Sequence, residues 1–188
     1  MDSIRPDVLQ YYQAKGILIS EDRDQFSTDI DKCLKHIRGS KQLEAAWNSK
    51  LGLLGELGSC PIDVALFGGL GGRVDQAFSQ IHHLYAIAKQ GRDLWNGDLF
   101  LITPEGIAFV LEKGANTIHA PVGPKFFTEN VGIIPIGKPC RISTRGLEWD
   151  VTDWPTEFGT QISTSNHIRA QTIDVECTES VLLTLEYS

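Results

Sequence analysis

The sequence predicts two successive architectures, a parallel α/β half followed by an all-β sandwich or barrel, and three observations predict it. A short apolar run at 62–67 passes directly into Gly68-Gly69-Leu70-Gly71-Gly72-Arg73 and then into a helical stripe, the strand, loop and helix order of a parallel α/β sheet. Beyond Gly97 the helical period gives way to short alternating segments between turn residues, as in a sandwich or barrel. At 188 residues and 41% hydrophobic content, the chain is long enough for one large domain or two small ones, each with a core. The change of period places the boundary near Arg92 to Asp98, giving domains 1–95 and 96–188.

In chain order, Ile30, Cys33, Leu34 and Ile37 form the i, i+3, i+4, i+7 stripe of an amphipathic helix, with Ser27 or Thr28 to cap it and Gly39 to end it. The run at 62–67 has the length of a buried strand. Val74, Phe78, Ile81 and Tyr85 mark the next helix. The all-β half offers strands at 99–102, 107–111, 117–120, 131–136, 147–151, 172–176 and 181–187, with turns such as Pro104-Glu105-Gly106 between them. The polar run Ser163-Thr164-Ser165-Asn166 reads as a turn between strands.

A net charge of -7 and a pI near 5.2 leave no basic surface for nucleic-acid phosphates or an anionic membrane. An acidic chain still accommodates an anionic small molecule if a divalent cation bridges carboxylate to phosphate. The opening residues lack the cationic and apolar stretches of a secretory signal, and no apolar run approaches the roughly 20 residues of a membrane span. These features predict a cytoplasmic protein. Cys33, Cys60, Cys140 and Cys177 form no CxxC pair and read as buried reduced thiols. The five histidines show no metal-ligand spacing, and no role is assigned to them.

The strongest local feature is the glycine loop. Four glycines in six positions let backbone N–H groups approach a phosphate, and the following helix N-terminus favours negative charge. It lacks the Gly-Lys-Ser/Thr ending of a P-loop, and Val74 stands at the last glycine of a dinucleotide fingerprint, so an unliganded tight turn is an equal reading. Asp75 falls in the first helical turn, where a carboxylate also simply complements the macrodipole. Gln25 and Asp29, four apart at the earlier helix start, have the same bland alternative as capping residues. Two helix starts that each carry a carboxylate at the ligand-binding edge of an α/β sheet favour a functional reading. Trp149 by itself reads more readily as core than as a ligand platform, since a tryptophan in a β-sandwich is more often buried.

Taken in order, these segments resemble the thiamine pyrophosphokinase family. Asp2-Ser3-Ile4-Arg5-Pro6 resembles the end of its G-D-x-D-S motif. Gln25 to Asp29, with Lys32-Cys33-Leu34, resembles Q-x-x-T-D-x-x-K-C/A, and Gly68 to Gln76 resembles G-G-L-x-G-R-x-D-Q. Gly146-Leu147-Glu148-Trp149 is similar to G-L-K/E-W. Phe158-Gly159 with Ser163-Thr164-Ser165-Asn166 is similar to F-G-x-x-(I/V)-S-T-S-N, and Thr172 to Thr184 to the family's closing strands.

The resemblance implies a partial Rossmann-like nucleotide-binding α/β domain, then a jelly-roll-like β-sandwich, paired as a homodimer with thiamine held between protomers. It implies transfer of pyrophosphate from ATP to thiamine with Mg²⁺. Asp2, Asp29 and Asp75 are implied around the metal, Asp29 or Asp75 as proton acceptor, and Gln25 as a polar contact beside them. Gly71, Gly72 and Arg73 are implied as the phosphate loop, Trp149 as the platform for the pyrimidine ring, and Ser165 with Asn166 as its hydrogen-bonding loop. The family's first strand and first motif aspartate do not precede Met1, which leads to the expectation of an N-terminally truncated chain with impaired activity. A non-catalytic thiamine-binding fragment is the alternative, and a carbohydrate-binding module leaves the glycine loop unexplained.

Overall fold

The computed structural model describes residues 4–40, 63–90 and 97–188. The chain forms two compact units, residues 1–60 and 61–188. In the first, helix α1 (Pro6–Ala14) starts from an extended Arg5 with proline at the first helical position and Asp7 in the first turn. Helix α2 (Asp29–Arg38) is capped by Thr28, whose side chain accepts from the Asp31 N–H while Asp31 reaches back to the Thr28 N–H. Both donors are satisfied at once. Gly39 terminates α2 as expected, whereas α1 has no amphipathic stripe and escaped the sequence reading.

The second unit begins with strand β1 (Val64–Phe67), the glycine loop and helix α3 (Val74–Gln90). Nine strands follow: β2 (Leu99–Ile102), β3 (Gly106–Leu111), β4 (Gly114–His119), β5 (Phe127–Ile134), β6 (Cys140–Arg145), β7 (Trp154–Thr156), β8 (Ser163–His167), β9 (Thr172–Cys177) and β10 (Val181–Tyr187). They form a six-stranded sheet, β1-β2-β3-β10-β5-β8, and a four-stranded sheet, β4-β9-β6-β7. The order of an α/β part followed by a β-sandwich is the one the sequence predicts.

β2 joins these parts. It pairs in parallel with β1, Val64 opposite Leu99 through Phe67 opposite Ile102, and antiparallel with β3 on its other side. The compositional boundary near residue 95 therefore lies beside a continuous sheet. Side-chain alternation gives this sheet two buried faces. Leu99, Leu101, Ala108 and Leu182 pack with Leu84 of α3, and Val131, Ile133, Val181, Leu183 and Leu185 pack with Ile142, Ile173 and Val175 of the smaller sheet. Leu183 is completely buried, and truncating such a leucine to alanine costs about 2–5 kcal/mol. Tyr85 ties α3 to the end of β5: its hydroxyl donates to the Ile134 carbonyl at 3.3 Å and accepts from the Ile136 N–H at 3.4 Å.

Three expectations are corrected. Residues 147–151 form a turn, not a strand, because the Asp150 carboxylate gathers the Gly146 and Leu147 N–H groups at 3.0 and 3.1 Å. The polar run Ser163 to Asn166 is not a turn but most of β8, the last strand of the six-stranded sheet, where only one flank needs a partner. Cys140 and Cys177 are buried as expected, but Cys33 is exposed on α2. Cys60 lies outside the described residues.

Candidate functional site

The second unit brings two sequence-distant segments to one cavity. The glycine loop leaves the C-terminal end of β1, where Gly68 donates to the Ile102 carbonyl at 2.8 Å, and Gly68, Gly69 and Gly72 all have positive φ, of 89°, 99° and 80°. At Gly69 a Cβ would also lie 2.8 Å from the Gln80 side chain, so the loop's path requires glycine twice over. Its Leu70 lines a cavity of about 400 Å³ whose other walls include Thr103, Gly106, Asn130, Thr164 and Ser165. That volume lies in the range of small-molecule sites.

Arg73 and Asp75 stand where the loop becomes α3. The guanidinium meets the carboxylate through two bonds, Nε to Oδ1 at 3.1 Å and Nη2 to Oδ2 at 2.5 Å, with both side chains largely exposed. The Arg73 guanidinium holds the Asp75 carboxyl below its ordinary range, and Asp75 raises the arginine in turn. This bidentate pairing fixes a cation and an anion side by side at a helix N-terminus.

Trp149 sits on the turn after β6. Gly146 has φ +96°, and a Cβ there would come 2.9 Å from the Thr172 carbonyl. Leu147 is buried and bridges Ile168, while the Glu148 N–H donates to the His167 carbonyl at 2.8 Å and the Arg169 N–H to that of Gly146 at 2.8 Å. The turn is thus stapled to the end of β8. Its tryptophan is 56% exposed, which places the indole outside the core.

Asn166 accounts for the presentation of that ring. Its buried side-chain oxygen accepts from the N–H groups of Trp149 at 3.2 Å and His167 at 2.8 Å, and its amide nitrogen donates to the Trp149 carbonyl at 3.1 Å. Beside the indole lies a second cavity, about 220 Å³, walled by Trp149, Trp154, Val151, Ile162 and Thr164. Thr164 borders both cavities. Ser165, the next residue, is exposed with φ +57°, an uncommon backbone state for a residue with a side chain.

Of the residues singled out in the sequence, the structure brings the glycine loop and β8 together in this unit. Gln25 and Asp29 belong to the first unit. Gln25 donates to the Arg23 carbonyl at 3.5 Å, and Asp29 opens α2. Asp2 lies outside the described residues. Sequence reasoning missed Glu129, Glu148, His167 and Arg169, which form a charged group beside Trp149. His167 ends β8 and Arg169 lies beyond it, so no strand period in the sequence marked the pair.

Residues 1–96 match the sequence model of the thiamin pyrophosphokinase catalytic domain, and residues 115–182 that of the thiamin pyrophosphokinase vitamin B1 binding domain. The chain belongs to the thiamin pyrophosphokinase family. It is 34% identical over 189 residues to thiamine pyrophosphokinase 2 of Arabidopsis thaliana, covering 98% of this chain and 62% of that protein. It is 29% identical over 196 residues to the thiamine pyrophosphokinase of Saccharomyces cerevisiae, covering 88% and 60%. The chain therefore spans about three-fifths of the length of these relatives. Among solved structures, the thiamin pyrophosphokinase from Candida albicans superposes with a TM-score of 0.80 at 26% identity, over 100% of this chain and 71% of that one. Yeast thiamin pyrophosphokinase gives 0.78 at 26% identity, over 100% and 67%. No helix among the described residues is long and apolar enough to cross a membrane.

Proposed function

We propose that this chain carries the reaction its relatives are named for, transfer of a pyrophosphoryl group from ATP to thiamine. The observation that carries the reading is the shared cavity: Leu70 of a phosphate-loop-like turn and Ser165 of β8 line the same space, with an exposed indole on the adjoining turn. Leu70 brings the glycine loop to the edge of that space, and Thr164 joins it to the smaller cavity beside the indole.

In the proposed reaction the thiamine hydroxyl oxygen attacks the β-phosphorus of ATP. A new P–O bond forms while the bond from the β-phosphorus to the bridging oxygen of the α-phosphate breaks. AMP leaves with that electron pair, and the hydroxyl proton passes to a carboxylate. Such a transfer depends mainly on positioning and charge neutralisation. Gly71 and Gly72 offer backbone N–H groups to the phosphates, and Arg73 supplies a fixed positive charge. Trp149 stacks on the pyrimidine ring. Ser165 contributes a hydroxyl, and Asn166 acts by fixing the backbone of Trp149. From the family resemblance, Asp29 or Asp75 is proposed as the proton acceptor, with Gln25 as a polar contact; Asp75 is the one of the pair that stands beside the glycine loop.

A magnesium ion on the triphosphate would supply charge neutralisation of the phosphates as they separate. Asp75 presents an exposed ionised oxygen donor of the right kind. Among the described residues no group of three acidic, histidine or cysteine side chains could hold a metal ion by itself. Asp2 and Asp29 are proposed as further carboxylates from the family resemblance.

The functional division is proposed as nucleotide chemistry in residues 1–95 and thiamine recognition in 96–188, in a cytoplasmic homodimer whose thiamine sites lie at the subunit interface. The exposed Trp149, Phe158 and Ile162 support that interface. The test is turnover of thiamine and ATP by the purified chain beside Trp149→Ala and Asp75→Asn. Formation of thiamine diphosphate, weakened in KM for thiamine by the first variant and in kcat by the second, supports the assignment. Thiamine binding with no product from the wild type overturns it.

A further inference from the structure

The indole of Trp149 projects from a turn with more than half its surface exposed, and the Asn166 clamp bonds its main chain and not the ring. What lies against the ring is His167, whose imidazole centroid is 5.1 Å away and tilted by 40°. That imidazole is itself held. Its Nδ1 donates to Glu148 at 2.7 Å, and its Nε2 lies 3.9 Å from Glu129. Arg169 is paired with both carboxylates, which spaces them on either side of the imidazole. Glu148 is the residue before Trp149, so the contacts close a ring: Glu148 bonds His167, and His167 lies against the indole attached to the next residue. His167 and Arg169 hold the Glu148 carboxyl below its ordinary range.

We propose that His167 is a positioning residue that sets the orientation of the Trp149 indole, held in place by Glu148, Arg169 and Glu129. Through the indole it raises the affinity for a flat cationic heterocycle. The second part rests on the thiamine reading above; the first does not. A preorganised aromatic side chain removes the cost of ordering it when a ligand binds. Loss of the His167 contact therefore weakens thiamine binding about 3- to 10-fold, leaving the ATP KM and the saturated rate within about twofold.

The experiment has two arms on the full chain. In the first, without ligand, the near-ultraviolet circular dichroism of Trp149 is isolated by subtracting the spectrum of Trp149→Phe. His167→Ala and Glu148→Ala are each expected to diminish that band, and the double variant no further than either single one, because both act through one contact. An unchanged band in either variant, or additive losses, overturns the proposal. His167→Gln keeps a hydrogen bond to Glu148 without the ring, and it is expected to behave as His167→Ala; full rescue by glutamine overturns the role of the ring. If His167→Ala does not fold, His167→Gln carries the comparison. In the second arm, calorimetric titration with thiamine reads the expected weakening. A wild type with the Trp149 band but no thiamine binding contradicts the thiamine reading, while the first arm still decides the positioning of the indole.

Discussion

Asn166 hydrogen-bonds both the N–H and the carbonyl of Trp149 across a separation of seventeen residues, from a side chain that is 5% exposed. The strand residue therefore holds the turn residue in place. Asn166→Ala removes the partner of three backbone groups at once, the N–H and carbonyl of Trp149 and the N–H of His167. It is expected to destabilise the chain by about 2–4 kcal/mol, read as a lower urea midpoint with an unchanged slope, and to weaken thiamine binding in the surviving folded fraction.

Gly146 sets the direction of the same turn. With φ +96° and the Thr172 carbonyl 2.9 Å from where a Cβ would stand, Gly146→Ala combines backbone strain with a steric conflict against main chain. The expected loss is about 1–3 kcal/mol, measured by thermal unfolding, with a reduced Trp149 signal before the transition.

Tyr85 gives the fold an alkaline limit. Burial pushes its hydroxyl up to about 12, against an ordinary value of 10.0, so the folded state keeps a proton that the unfolded chain gives up. This contribution is complete below about pH 10 and is lost as pH rises toward 12. Tyr85→Phe is expected to be less stable than the wild type at pH 8, with the difference shrinking across that window in urea titrations. A difference that grows with pH would contradict the assignment.

The thiols separate by environment. Cys33 is exposed on α2, while burial pushes the Cys177 thiol up to about 11. At pH 8, iodoacetamide is expected to modify Cys33 while leaving Cys177 intact until denaturant is added, since the thiolate is the reactive form. Peptide mass spectrometry resolves the two sites.

Much of the fold was legible wherever burial imposes a period. The strand at 99–102 and the one at 181–187 coincide with β2 and β10, and the stripe beginning at Ile30 coincides with α2 between Thr28 and Gly39. The sequence misleads where polar satisfaction outweighs pattern. Leu147, Trp149 and Val151 alternate like a strand, yet Asp150 folds them into a turn. Ser163 to Asn166 is polar enough for a turn, yet it pairs with β5 at the end of a sheet. The glycine loop and the place of Asp75 in the first turn of α3 could be read locally, because they lie within a few residues of one another. The grouping of Glu129, Glu148, His167 and Arg169 could not, because their contacts span 19 to 40 residues in sequence.

The central claim is that the glycine-loop cavity and the Trp149 turn serve one pyrophosphoryl transfer. The most direct measurement is the fate of label in ATP carrying radioactive phosphorus at the β position, incubated with the chain, thiamine and magnesium. The account predicts label in thiamine diphosphate with AMP formed in equal amount, and loss of that product in Arg73→Ala. Label confined to ADP or inorganic phosphate, with thiamine unchanged, would contradict it.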